Sequence, residues 1–106
     1  MPGTILIADD NEAIRSILKM TLEFGGYRVE EAVDGRQAFE RLSQGSYALL
    51  ISDIDMPHVT GHELLDKVRT ELGALDLPVI ICTAELKIDR NRLIERGLHG
   101  VVRLLL

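Results

Sequence analysis

Two acidic clusters stand out in this chain of 106 residues. In the stretch LLISDIDMP, four residues suited to a buried strand, Leu49, Leu50, Ile51 and Ser52, run directly into Asp53. Asp55 follows two residues later and Pro57 stops further pairing. Near the start, ILIADDN places Asp9 and Asp10 straight after another short apolar run. Apolar runs usually end in turn formers. Ending them in carboxylates sets anions at the lip of the core, where like charges raise one another's pKa and cost stability. A divalent cation removes that cost. A small set of oxygen ligands suits Mg²⁺, which keeps several waters and is commonly completed by a phosphate. A carboxylate beside such an ion can accept a phosphoryl group as an acyl phosphate. That transfer asks the protein mainly for in-line positioning and neutralisation of the oxygens. On this reading Asp53 is the acceptor, Asp10 ligates the metal, and Asp9 helps directly or through water. The Thr83 hydroxyl, within PVIICTA, is placed to bond a phosphoryl oxygen. Taken singly, each residue has a plainer role: Asp10-Asn11-Glu12 can cap a helix, and Asp55 can sit in a solvated turn. Together, acids at two strand ends and Thr83-Ala84 at a third favour the chemical role.

The elements that must position these groups alternate along the chain. Residues 5–8 read as a short buried strand. Ile14, Ile17, Leu18, Thr21 and Leu22 then fall at helical spacing, with Asn11 as N-cap and Gly25-Gly26 as a stop. A second strand covers 27–32. A helix over about 35–44 presents Ala38, Phe39 and Leu42 on one face. The third strand is 48–53, and a helix from about Gly61 shows Leu64, Leu65, Val68 and Leu72. The fourth strand is 78–83. A charge-rich helix over about 88–96 precedes Gly97, and 100–106 makes a fifth strand. Strands alternating with helices predict an α/β fold with a parallel sheet covered on both faces. In such doubly wound sheets ligands bind outside the carboxyl ends of the strands, where the strand order reverses. If the first and third strands are neighbours, Asp9, Asp10 and Asp53 share one crevice.

Apolar residues make up 46% of the chain and charged residues 27%, the balance of one globular domain covering residues 1–106. No apolar run approaches the roughly 20 residues of a membrane span, and no secretory signal is legible, so a cytoplasmic protein is expected. A net charge of −5 with scattered basic residues argues against direct nucleic-acid binding. The single Cys82 reads as a core thiol. His58 and His62 are separated by the glycine that opens a helix and read as a solvated pair rather than a zinc site.

These motifs resemble the receiver domain of two-component response regulators over nearly the whole chain. ILIADDN is similar to the family's acidic pair. LLISDIDMPHVTG matches its phosphoacceptor, Met-Pro turn and helix-opening glycine, and PVIICTA its switch hydroxyl and the small residue after it, Ala84. The resemblance implies a flavodoxin-like five-stranded sheet of order 2-1-3-4-5. It also implies Mg²⁺ held by Asp10, Asp53 and the backbone carbonyl of Asp55 with Asp9 in support, and phosphotransfer to Asp53 from a sensor histidine kinase or phosphotransfer protein. The domain would then be a phosphoacceptor switch with at most self-catalysed phosphorylation and dephosphorylation, not an enzyme. Thr83 would be drawn inward on phosphorylation.

The chain departs from the family pattern in two places. Leu104 and Leu105 stand where the family has Lys-Pro, with Arg103 one residue early, and Val101 stands where an aromatic switch residue is common. The fifth helix of the family is expected to be absent, leaving Met20 and Phe24 of the first helix without a cover; either the chain is a fragment of a longer protein or a second chain covers that face, as in a homodimer. Besides the phosphorylation switch, two further readings follow. One is a receiver-like interaction module whose switching is impaired by Leu104. The other, a phosphohydrolase, rests on the likeness of DID to the haloacid-dehalogenase nucleophile motif.

Overall fold

The computed structural model describes residues 3–83, 91, 95, 97 and 100–103. The elements are β1 (Thr4–Ala8), α1 (Glu12–Phe24), β2 (Arg28–Ala32), α2 (Gly35–Gln44), β3 (Leu49–Ser52), α3 (Gly61–Thr70), β4 (Val79–Thr83) and β5 (Gly100–Arg103). The strands form one sheet of order β2-β1-β3-β4-β5, parallel at every pairing. This is the flavodoxin-like order that the family resemblance implies. Expectations about Ala84, Leu104, Leu105 and a following fifth helix fall outside the described residues. Of the helix expected over 88–96, only Asn91 and Glu95 are described, and both are helical.

The continuous apolar runs are explained by burial on both faces, because successive strand residues point to opposite sides. Leu6, Ala8, Leu50, Val79 and Ile81 enter one core with Leu64, Leu65 and Val68 of α3 and Ala38 of α2. Their neighbours Ile5, Ile7, Ile51 and Cys82 enter a second cluster with Val29, against which Leu18 and Leu22 of α1 pack. Cys82 is the buried thiol the sequence predicts.

The helix ends carry their own chemistry. The Asn11 side chain accepts the Ile14 N–H at 3.1 Å, and α1 closes where the Gly25 N–H donates to the Thr21 carbonyl, with Gly26 at φ +91°. A capping box opens α3: the Thr60 hydroxyl accepts the Glu63 N–H, and the Glu63 carboxylate accepts the Thr60 N–H, both at 3.2 Å.

Two expectations are corrected. Leu72 lies beyond α3, which ends at Thr70, although Leu72 still packs on the core. Ile17 and Thr21, both exposed, do not belong to the half-buried stripe by which α1 packs on the sheet. That stripe centres on Leu18 and Leu22, about 100° round the helix from Ile17, which is 63% exposed. Ile17 instead joins Met20 and Phe24, 70% and 95% exposed, in a second apolar stripe facing outward. Among the described residues no helix is long and apolar enough to cross a membrane.

Candidate functional site

The ends of β1 and β3 lie level, with Ala8 opposite Ser52. The residues that follow therefore leave the sheet side by side. The Asp53 N–H donates to the Ala8 carbonyl at 2.9 Å, and the Asp9 N–H donates to the Ala32 carbonyl of β2 at 3.2 Å. With both backbones pinned, one carboxylate oxygen from each of Asp9, Asp10 and Asp53 lies within 4.8 Å of the others. Asp9 is buried, Asp53 half-buried and Asp10 exposed, so the group opens to solvent on one side.

The cost expected from like charges is present, but burial contributes more of it. Burial pushes the Asp9 carboxyl up to about 6; the Asn11 N–H, donating at 2.8 Å, opposes this, Asp53 and Asp10 raise it further, and Arg15 pulls it down. Asp53 is also raised, chiefly by burial and further by Asp10. It is restrained by hydrogen bonds from the Thr83 side chain, from the Ile54 N–H at 2.7 Å and from the Asp55 N–H. Thr83, fully buried at the end of β4, thus already touches the carboxylate it was expected to serve. The Cys82 thiol is raised by burial and then by Asp9 and Asp53, so it stays protonated at neutral pH.

Three oxygen-only donors that repel one another across an open-sided cleft fit a hard divalent cation that keeps waters on its free side. Asp55 is exposed and its carboxylate is outside the cluster; its part in the observed geometry is the N–H that it gives to Asp53. Arg103 pairs with Thr83 through the β4–β5 ladder. His58, at φ +69°, is exposed, whereas His62 is half-buried at the start of α3, so the two do not form the solvated pair expected.

Glycine at position 61 is dictated by the acceptor loop. Its N–H donates to the Ile54 carbonyl at 2.8 Å, and a Cβ added there would run into the Asp53 carbonyl and stand 2.8 Å from the Ile54 Cα. Backbone atoms cannot rotate out of the way. Gly61→Ala is expected to destabilise the domain by about 2–3 kcal/mol, read from urea unfolding, and a wild-type midpoint would show that the loop has room after all.

Sequence reasoning missed Arg15 and Glu31. Arg15 donates from Nη1 to the Asp9 carbonyl at 2.7 Å and from Nε to Glu31 at 3.3 Å. The only signal for it was an arginine one turn past the N-cap of α1, which reads as ordinary helix surface until the strand before it is in place.

Comparison with known proteins agrees with this geometry. The sequence profile of the response regulator receiver domain matches residues 5–103. Sensor protein EvgS of Escherichia coli O157:H7 is 42% identical over 96 residues, which is 91% of this chain but 8% of that protein's length. Chemotaxis protein CheY4 of Vibrio cholerae superposes with a TM-score of 0.88 at 30% identity, covering 97% of this chain and 87% of that one. Response regulator TrrA of Thermotoga maritima, solved in complex with Mg²⁺ and BeF, superposes at 0.86 with 31% identity, covering 99% and 88%. The fold is thus shared with solved receiver proteins, the sequence matches the family over nearly its whole length, and this chain belongs to the response regulator receiver domains of two-component systems.

Proposed function

We propose that this domain accepts a phosphoryl group on Asp53 from a phosphohistidine of a partner sensor kinase or phosphotransfer protein, in a Mg²⁺-dependent step. The convergence of the Asp9, Asp10 and Asp53 oxygens is the observation that carries the reading. Asp10, Asp53 and the backbone carbonyl of Asp55 would hold the ion, with Asp9 in support. Bound there, it would neutralise the acids and the oxygens of the group in transfer. A free Asp53 oxygen attacks phosphorus in line, the P–N bond breaks, and its electron pair leaves with the imidazole, which takes a proton from solvent. The N–H groups of Ile54 and Asp55 fix the carboxylate for that attack. The Thr83 hydroxyl, already bonded to Asp53, then turns to the new phosphoryl oxygen, which biases the domain between two states. The relative solved with Mg²⁺ and BeF supports the choice of ion.

The same reading makes the domain a cytoplasmic phosphoacceptor rather than an enzyme. Incubation with acetyl phosphate and Mg²⁺, followed by intact mass, tests it: one phosphoryl adduct is expected, none with EDTA, and none in either condition would overturn it. Multiple turnover of a phosphomonoester would instead favour a phosphohydrolase.

A second reading, an interaction module with impaired switching, is favoured by the outward stripe of Ile17, Met20 and Phe24, which suits a second copy of the domain. Sizing in solution with and without BeF distinguishes a dimer that ignores the acceptor site from one driven by it. Leu104→Lys is expected to change the lifetime of the adduct. An unchanged lifetime would show that the leucine is no impediment.

A further inference from the structure

We infer that Arg15 is a positioning residue for the acidic cluster, setting the peptide between Asp9 and Asp10 so that two consecutive side chains serve one cation. The inference rests on the metal-site reading above and deepens it. Asp9 and Asp10 follow directly on β1, which ends at Ala8, and the chain bends at Asp10. There an oxygen of each lies within 4.8 Å of the other and of Asp53. No ladder fixes the one peptide between them, and the orientation of that peptide decides where Asp10 points.

The Asp9 N–H is held by the last rung of the sheet, to Ala32 at 3.2 Å. Its carbonyl, which belongs to the Asp9–Asp10 peptide, receives the Arg15 Nη1 at 2.7 Å. The guanidinium is itself held. Its Nε donates to Glu31 Oε1 at 3.3 Å, the other Glu31 oxygen lies 3.4 Å from the Lys19 ammonium, and the Arg15 side chain is only 12% exposed. A rigid planar fork can reach the carbonyl and Glu31 at once; a lysine ammonium offers a point charge without that geometry. Partners one step removed from a metal that orient its ligands typically govern affinity by 10–100-fold.

Charge and geometry predict opposite outcomes here. A cation beside a cation site repels the incoming ion, so if Arg15 acted through its field alone, Arg15→Lys would leave Mg²⁺ affinity unchanged and Arg15→Gln would raise it. Positioning predicts that both variants weaken Mg²⁺ binding by about tenfold or more. Because Mg²⁺ demands near-ideal octahedral geometry and Ca²⁺ tolerates distortion, the ratio of Mg²⁺ to Ca²⁺ affinity should fall as well. General loosening of the fold would not move that ratio.

Isothermal titration of the full chain with MgCl₂ and with CaCl₂, for wild type, Arg15→Lys, Arg15→Gln and Glu31→Gln, decides the matter. Expected are weaker Mg²⁺ binding and a lower Mg²⁺ to Ca²⁺ ratio in all three variants, least in Glu31→Gln, which leaves the contact to the carbonyl in place. If the Arg15 variants do not fold, Glu31→Gln alone carries the test in the same direction. Wild-type affinities in Arg15→Lys, or tighter binding in Arg15→Gln, overturn the positioning role while leaving the metal site standing. No Mg²⁺ binding by the wild type overturns both.

Discussion

Asp53→Asn is expected to take up no phosphoryl group from acetyl phosphate and Mg²⁺, under conditions in which the wild type gains the mass of one. The amide is nearly isosteric with the carboxylate, so its oxygen can keep the hydrogen bond from Ile54 at the mouth of β3. What it loses is the nucleophile, since a neutral amide oxygen has neither the charge nor the basicity to form an acyl phosphate. The change also removes one of the charges that raise Asp9, so the folded variant should be at least as stable as the wild type at neutral pH. That combination, retained stability with lost chemistry, separates loss of the acceptor from loss of the fold. An adduct of undiminished yield in Asp53→Asn would assign the chemistry to another side chain.

The second large effect is on stability. Burial pushes the Asp9 carboxyl up to about 6 in the fold, from an ordinary value of 3.8. The folded state thus holds the proton more tightly than the unfolded chain. The stability contributed is complete below the unfolded value and is lost as pH rises through the folded one, a cost of about 3 kcal/mol by neutral pH. Asp9→Asn does not ionise, and its side-chain oxygen can still accept the Asn11 N–H. In EDTA near pH 7.5 the variant should therefore be about 2–3 kcal/mol more stable than the wild type, and near pH 4 about equal to it. Mg²⁺ should raise the wild-type Tm near neutral pH, where the Asp9 carboxyl is ionised, and have much less effect near pH 4 or on the variant. Urea unfolding at the two pH values measures this. A wild type that outlasts Asp9→Asn in EDTA at neutral pH would mean that the hydrogen bonds to Asp9 already meet its desolvation cost. The acidic cleft is thus a place where burial and like charge cost the fold stability.

The sequence shows much of this because both periodicity and chemistry are local signals. ILIA, LLIS and VIICT are continuous apolar runs because each strand feeds two cores, and their lengths place Asp9, Asp53 and Thr83 at strand ends without knowledge of the fold. The level ends of β1 and β3, by contrast, depend on register between strands separated by some 40 residues, which only the assembled ladder reveals. Spacing alone does not separate Ile17 from the core stripe, because two apolar stripes overlap on α1 and only one of them meets the sheet. Arg15 and Glu31 were invisible for a related reason: a helix residue and a residue on the edge strand become partners only when α1 lies along β2. The close approach that forbids a side chain at position 61 is likewise a contact between a loop and a helix start, legible in the sequence only as a glycine in a motif.

The most direct measurement is the anomalous difference map of crystals of this domain soaked in Mn²⁺, an ion of the same oxygen-ligand class as Mg²⁺. The account predicts one dominant peak within bonding distance of the Asp10 and Asp53 carboxylates and the Asp55 carbonyl, lost in Asp53→Asn crystals. A peak elsewhere on the molecule, or none while the three carboxylates remain together, would contradict it.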